Sequence, residues 1–161
     1  MKAFVGIDPG VTGALAILPE EGPTQVFDMP ILEKMKSKER STIDVLGIQK
    51  LFALPQGYDL TVILEQLHPQ TKIGAVANFS MGESAGTLKT FLALHYHRVI
   101  QVLPAKWKKG MGMSANKDLS RQKAMELFPE LADQLKLKKH HGRAEALLLA
   151  DYGRRLYGKQ Y

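Results

Sequence analysis

Two acidic side chains, Asp8 and Glu65, close apolar runs, a third, Glu145, stands among small and apolar residues in a helical stretch, and together they have the makings of a cation site. Asp8 closes the run Phe4-Val5-Gly6-Ile7, and Glu65 closes Leu60-Thr61-Val62-Ile63-Leu64. Each has an ordinary explanation. Asp8 can cap the turn that follows it, and Glu145, in a buried first helical turn, suits the positive end of the helix dipole. A sheet that lays the two strands side by side changes the picture. It crowds two carboxylates at one rim, where their repulsion is tolerated mainly if a cation sits between them. Glu145 is then the candidate third acid from a covering helix. His141 stands four residues before it and shares its face if the helix begins that early. Three hard oxygen ligands, one imidazole and no thiolate suit Mg²⁺ or Mn²⁺ better than zinc. Such ions clamp the attacking and leaving oxygens of an in-line phosphodiester hydrolysis.

The elements that must position these groups are legible from pattern. Phe4–Ile7 and Ala14–Leu18 are short β-type runs joined by Pro9-Gly10-Val11-Thr12-Gly13, and they read as an antiparallel hairpin. Gln25–Met29 reads as a third strand ended by Pro30, and Glu33–Arg40 as a solvated excursion. Ser41 or Thr42 is the expected cap of a helix through Ile43, Leu46, Ile48, Leu51 and Phe52, ended by Pro55-Gln56-Gly57. Leu60–Leu64 has the continuous apolar character of a strand buried on both faces. His68–Ser80 reads as a loop, Gly82–Tyr96 as a helix, and Arg98–Leu103 as a fifth strand stopped by Pro104. A helix over Lys117–Phe128, a short one over Leu131–Leu135 and a last one over Gly142–Leu156 complete the chain, with Asp151, Arg154 and Arg155 expected on the solvated face. Hairpins followed by strand–helix alternation predict a mixed five-stranded sheet with helices on its faces.

Length and composition narrow the class. The 161 residues are enough for one domain with a sizeable core. Lys plus Arg number 22 against 16 Asp plus Glu, a net charge of +6, which makes an anionic partner such as nucleic acid plausible. The absence of cysteine excludes a disulfide framework and a thiolate metal site, and fits a reducing cytoplasm. No apolar run has the length of a membrane span, and the N-terminus enters a strand without a signal-peptide pattern.

Taken together, Ile7-Asp8-Pro9-Gly10 with Thr12-Gly13 at the end of the first strand, Ile63-Leu64-Glu65-Gln66 at the end of the fourth, and Ala144-Glu145-Ala146-Leu147-Leu148-Leu149-Ala150 in the last helix resemble the RuvC-type Holliday junction resolvases, most closely their phage-encoded branch. The resemblance covers nearly the whole chain. It implies a ribonuclease H-like fold over residues 1–161, a homodimer, and Mg²⁺-dependent symmetric nicking of four-way DNA junctions, in the host cytoplasm if the protein is phage-encoded. It carries the family's acids onto Asp8, Glu65 and Glu145. The family's fourth acid falls on Gly142, one residue from His141, which makes His141 the candidate fourth ligand and catalytic residue. The family's DNA-stacking aromatic, three residues after the second acid, falls on His68. The apolar side of the Gly82–Tyr96 helix becomes the candidate centre of the dimer.

Two basic clusters accompany these motifs. Lys106, Lys108 and Lys109 follow the fifth strand, where they can neutralise phosphates, while Trp107 either stacks on a base or packs in the core, the preferred reading. Lys136, Lys138, Lys139, His140 and Arg143 lie beside Glu145 and form either a DNA contact or a solvated face. Three rival readings compete. An actin-type ATPase or sugar kinase also carries an Asp-x-Gly-x-Thr hairpin, but it needs a second phosphate loop and a second similar domain, for which the chain has no room. A catalytically silent nucleic-acid-binding module would not need three acids. A nuclease acting on RNA–DNA hybrids shares the fold and is separated from a resolvase only by its substrate.

Overall fold

The computed structural model describes residues 1–34, 40–53, 58–96, 98–113 and 117–158. Strands β1 (Lys2–Asp8), β2 (Ala14–Pro19), β3 (Gln25–Asp28), β4 (Asp59–Glu65) and β5 (Val99–Val102) form one sheet in the order β3-β2-β1-β4-β5. The first three are antiparallel neighbours, whereas β1 with β4 and β4 with β5 run parallel. This is the mixed sheet expected from the sequence. The hairpin turns at Gly10, whose φ of 114° favours glycine, and closes with the Gly13 amide donating to the Gly10 carbonyl at 3.0 Å.

Helices α1 (Val45–Leu51) and α2 (Ala75–His95) cover one face of the sheet. Val5, Ile7, Leu15, Ile17, Val62 and Leu64 pack there against Ile48, Phe52, Leu88, Phe91 and Leu92. On the other face lie α3 (Pro104–Gly110), α4 (Lys117–Leu127), α5 (Ala132–Leu135) and α6 (His141–Tyr157), which bury Phe4, Ala16, Leu18 and Ile63 under Trp107, Leu135 and Leu147. The alternation along β1 divides its side chains between these two cores. Gly6 is the reason α6 lies so close. A Cβ at that position would collide with the Ala146 carbonyl oxygen, so only glycine lets helix and strand backbones touch.

Several boundaries differ from the sequence reading, each for a local reason. Ile43 does not enter α1, because it pairs with Ile31 in an antiparallel bridge and its β-branched side chain favours that extended backbone. The helix starts after Asp44. Its expected terminator, Pro55-Gln56-Gly57, lies outside the described residues, as do residues 35–39 of the charged excursion. Helix α2 begins at Ala75, inside the stretch read as a loop. The Asn78 side chain holds the preceding turn, accepting from the Gln70 amide and donating to the Gln70 carbonyl, both at 2.9 Å. Pro104 ends β5 but also opens α3, since its missing N–H costs nothing in a first helical turn. Asp151 is fully buried rather than solvated. Arg154 Nε at 3.1 Å and Arg155 Nε at 2.8 Å donate to its two oxygens from the helix surface.

Among the described residues no helix is long and apolar enough to cross a membrane.

Candidate metal centre

The register between β1 and β4 assembles the first half of the site. Ile7 pairs with Leu64 in parallel, so Asp8 and Glu65 leave the same end of the sheet on adjacent strands. Helix α6 crosses the other side of β1 with its N-terminus at this end and delivers Glu145. One carboxylate oxygen from each of Asp8, Glu65 and Glu145 lies within 4.8 Å of the others, with Glu65 and Glu145 buried and Asp8 half-buried. Three carboxylates this close, two of them withdrawn from water, gather acidic oxygens at one point of the sheet's rim. These oxygens could hold a metal ion, and as hard donors they suit a hard cation better than a soft one.

A cleft of about 400 Å³ opens beside these acids, walled by Asp8, the Pro9–Gly13 turn, Gln70, Ser80, Ser84, His141 and Glu145. His141 opens α6 half-buried at the cleft wall, with Nδ1 3.4 Å from the Lys138 carbonyl oxygen. It borders the site but is not among the groups that converge within 4.8 Å. Gly142 comes closer. A Cβ on it would stand 3.1 Å from Asp8 Oδ2 and from the Thr12 carbonyl oxygen, so this position abuts the first acid directly.

The basic residues divide into three groups. Lys106, Lys109, Lys138 and Lys139 are exposed, the last two on the single helical turn that leads into α6. Lys108 points inward instead. Its Nζ lies 2.7 Å from Glu145 Oε1, and the Ser120 hydroxyl lies 3.4 Å from the same oxygen. Arg143 is engaged with Asp28, donating from Nε and Nη2 at 2.7 and 2.6 Å, and donates a third bond to the Gln134 carbonyl. The pairing holds the Asp28 carboxyl below the usual carboxylate range and raises the Arg143 guanidinium. His140 is lowered by burial and by the positive charges of Arg143 and Lys139.

One open alternative closes here, in favour of the preferred core packing of Trp107, and two expectations change. Trp107 is fully buried beneath α6, so its ring belongs to the core and is not available to stack on DNA. Arg143 closes a pair with Asp28 rather than standing open to a phosphate. The apolar side of α2, with Leu88, Phe91 and Leu92, is consumed by the chain's own core, and its outward face presents Val76, Phe79 and Leu94 instead. His68 is exposed on a second cleft of about 330 Å³ against α2, together with Lys89. Sequence reasoning missed Ser120 as a neighbour of the site. Its spacing of four from buried Ala124 was the available signal, marking a small polar residue on the inward face of α4.

No protein-family model matches the chain, and no curated protein matches it. Solved structures do. Thermus thermophilus RuvC is similar over 96% of both chains, with a TM-score of 0.54 at 19% identity. The structure of T. thermophilus RuvC in complex with a Holliday junction substrate gives 0.53 at 16% identity, again over 96% of each chain. Its mixed sheet with flanking helices, together with this likeness, gives the chain a RuvC-type, ribonuclease H-like fold.

Proposed function

We propose that the protein is a divalent-metal-dependent endonuclease that resolves four-way DNA junctions by paired symmetric nicks. The observation that carries this reading is the convergence of Asp8, Glu65 and Glu145 within 4.8 Å, beside a cleft that Asp8 and Glu145 line, on a fold shared with a protein solved on a Holliday junction. Asp8, Glu65 and Glu145 would hold Mg²⁺, with Mn²⁺ as a substitute. Bound there, the ion supplies Lewis-acid stabilisation of the phosphodiester being cleaved.

The chain's own residues divide the remaining work. Exposed Lys106, Lys109, Lys138 and Lys139 neutralise phosphates along the arms, in keeping with the net charge of +6. His141, with Nδ1 turned to the Lys138 carbonyl, has Nε2 left to take a proton or complete the ligand set from the cleft wall. His68 lies beyond the end of β4 and contacts the junction near its centre. Two cuts on opposite strands require two sites, which a two-fold homodimer supplies. The outward face of α2 is the surface for that contact.

A cleavage panel with Mg²⁺ on a four-way junction, a flap, a duplex and an RNA–DNA hybrid tests the reading. Paired nicks confined to the junction are expected. Equal cutting of plain duplex, or a preference for the hybrid, would replace junction resolution with another nuclease activity. Sedimentation should show a dimer at micromolar concentration, and a monomer with and without junction DNA would remove the paired-cut mechanism.

A further inference from the structure

Lys108 is built into the site rather than spread on the surface beside it. Its neighbour Trp107 is fully buried and fixes α3 against the core. The Lys108 carbonyl accepts amide hydrogen bonds from Met111 at 3.2 Å and Met113 at 2.8 Å, which holds its backbone in place. The side chain is only 14% exposed and meets a Glu145 side chain that is 8% exposed, while Lys106 and Lys109 on either side are exposed. Its ammonium therefore reaches Glu145 Oε1 from a preset direction, at 2.7 Å.

An ammonium group on one of three crowded carboxylates relieves their repulsion in the metal-free protein. It also draws on the electron density of a carboxylate that a divalent ion would coordinate. The two cations share one carboxylate and repel each other across it. We propose that Lys108 is an internal counter-ion of the metal centre, held on Glu145 when no ion is bound and displaced from that carboxylate when one enters. Lys108 thereby stabilises the empty site and weakens its affinity for metal. This rests on the reading of Asp8, Glu65 and Glu145 as the metal ligands. The consequence is opposite to that of an ordinary supporting residue, whose loss lowers metal affinity by about 10- to 100-fold.

The test measures Mn²⁺ affinity by electron paramagnetic resonance of the free ion, and thermal melting of the metal-free protein, with no DNA present. Lys108→Met should bind Mn²⁺ about tenfold more tightly than wild type, the supporting-residue magnitude with its sign reversed. It should also melt lower without metal and gain more from added Mn²⁺. Lys108→Gln, which keeps a polar head and length, should move in the same direction, and it serves if the methionine variant does not fold. Lys108→Arg keeps the charge and should remain near wild type. Equal or weaker Mn²⁺ binding by both neutral variants overturns the counter-ion role. A wild type that binds no Mn²⁺, or binds it equally well as Asp8→Asn, overturns the metal-site reading instead, so the two failures are distinct.

Discussion

Arg143 and Asp28 meet fork to fork across the end of the sheet, with Nε to Oδ1 at 2.7 Å and Nη2 to Oδ2 at 2.6 Å. Asp28 ends the edge strand β3, and Arg143 lies in the first turn of α6 between Gly142 and Ala144. The pair ties the start of that helix to the far side of the hairpin. Gly142 and Glu145 are thereby held over Asp8 from one side while Gly6 sets the approach of the helix from below. A planar guanidinium suits such a bidentate tie better than a lysine would.

The first prediction follows from the depressed Asp28 carboxyl. A group whose pKa is lower folded than unfolded adds stability above its unfolded value, and that stability is lost as pH falls through the folded value. The ordinary value is 3.8, so the contribution is complete above about pH 5 and fades below that value. Asp28 is 68% exposed, which limits the pair to about 0.5–1 kcal/mol. Urea unfolding should show Asp28→Asn less stable by that amount at neutral pH, with the gap closing in acid. A gap that persists unchanged in strong acid would mean the pair does not produce it.

Asp8→Asn and Glu65→Gln should abolish junction cleavage while leaving junction affinity equal or improved. Each change removes a metal-binding charge at constant shape and reduces repulsion between the site and phosphate. Gel-shift and cleavage assays on the same four-way junction separate the two effects. Wild-type rates for either variant in saturating Mg²⁺ would show the carboxylates to be bystanders.

His141→Ala should require about 10- to 100-fold more metal for half-maximal cleavage if the imidazole acts at or beside the ligands. His141→Asp should recover most of the loss by restoring a fourth carboxylate. His140→Ala is the internal control and should leave the metal requirement alone. A defect in salt-dependent junction binding, with an unchanged metal titration, would make His141 a phosphate contact instead.

Gly6→Ala should destabilise the protein by about 3 kcal/mol or more, at the upper end of the range for overpacking, because its methyl meets backbone that cannot rotate away. Thermal melting measures the loss. An unchanged melting temperature would mean that α6 can lift from β1 freely.

The sequence by itself determined the strands, their end carboxylates and the buried run around Glu145 at the start of α6. These are local features: an apolar run, an acid that closes it, and a helical run of small and apolar residues around Glu145. Neighbouring residues carry all the information for them, which is why Asp8, Glu65 and Glu145 were legible before any contact was known. Tertiary structure decided what surrounds them. Lys108 and Glu145 are separated by 37 residues and Asp28 and Arg143 by 115, so a charge run reads the same whether it faces water or a partner. Asp151 was misread for a related reason. An acid followed by two arginines looks solvated, and only the packing of α6 on the sheet sends its carboxylate inward and leaves the arginines outside. Trp107 fell between the two cases, since its size favoured burial but its lysine neighbours suggested DNA. The core beneath α6 took the ring, and that same anchoring turned Lys108 toward Glu145.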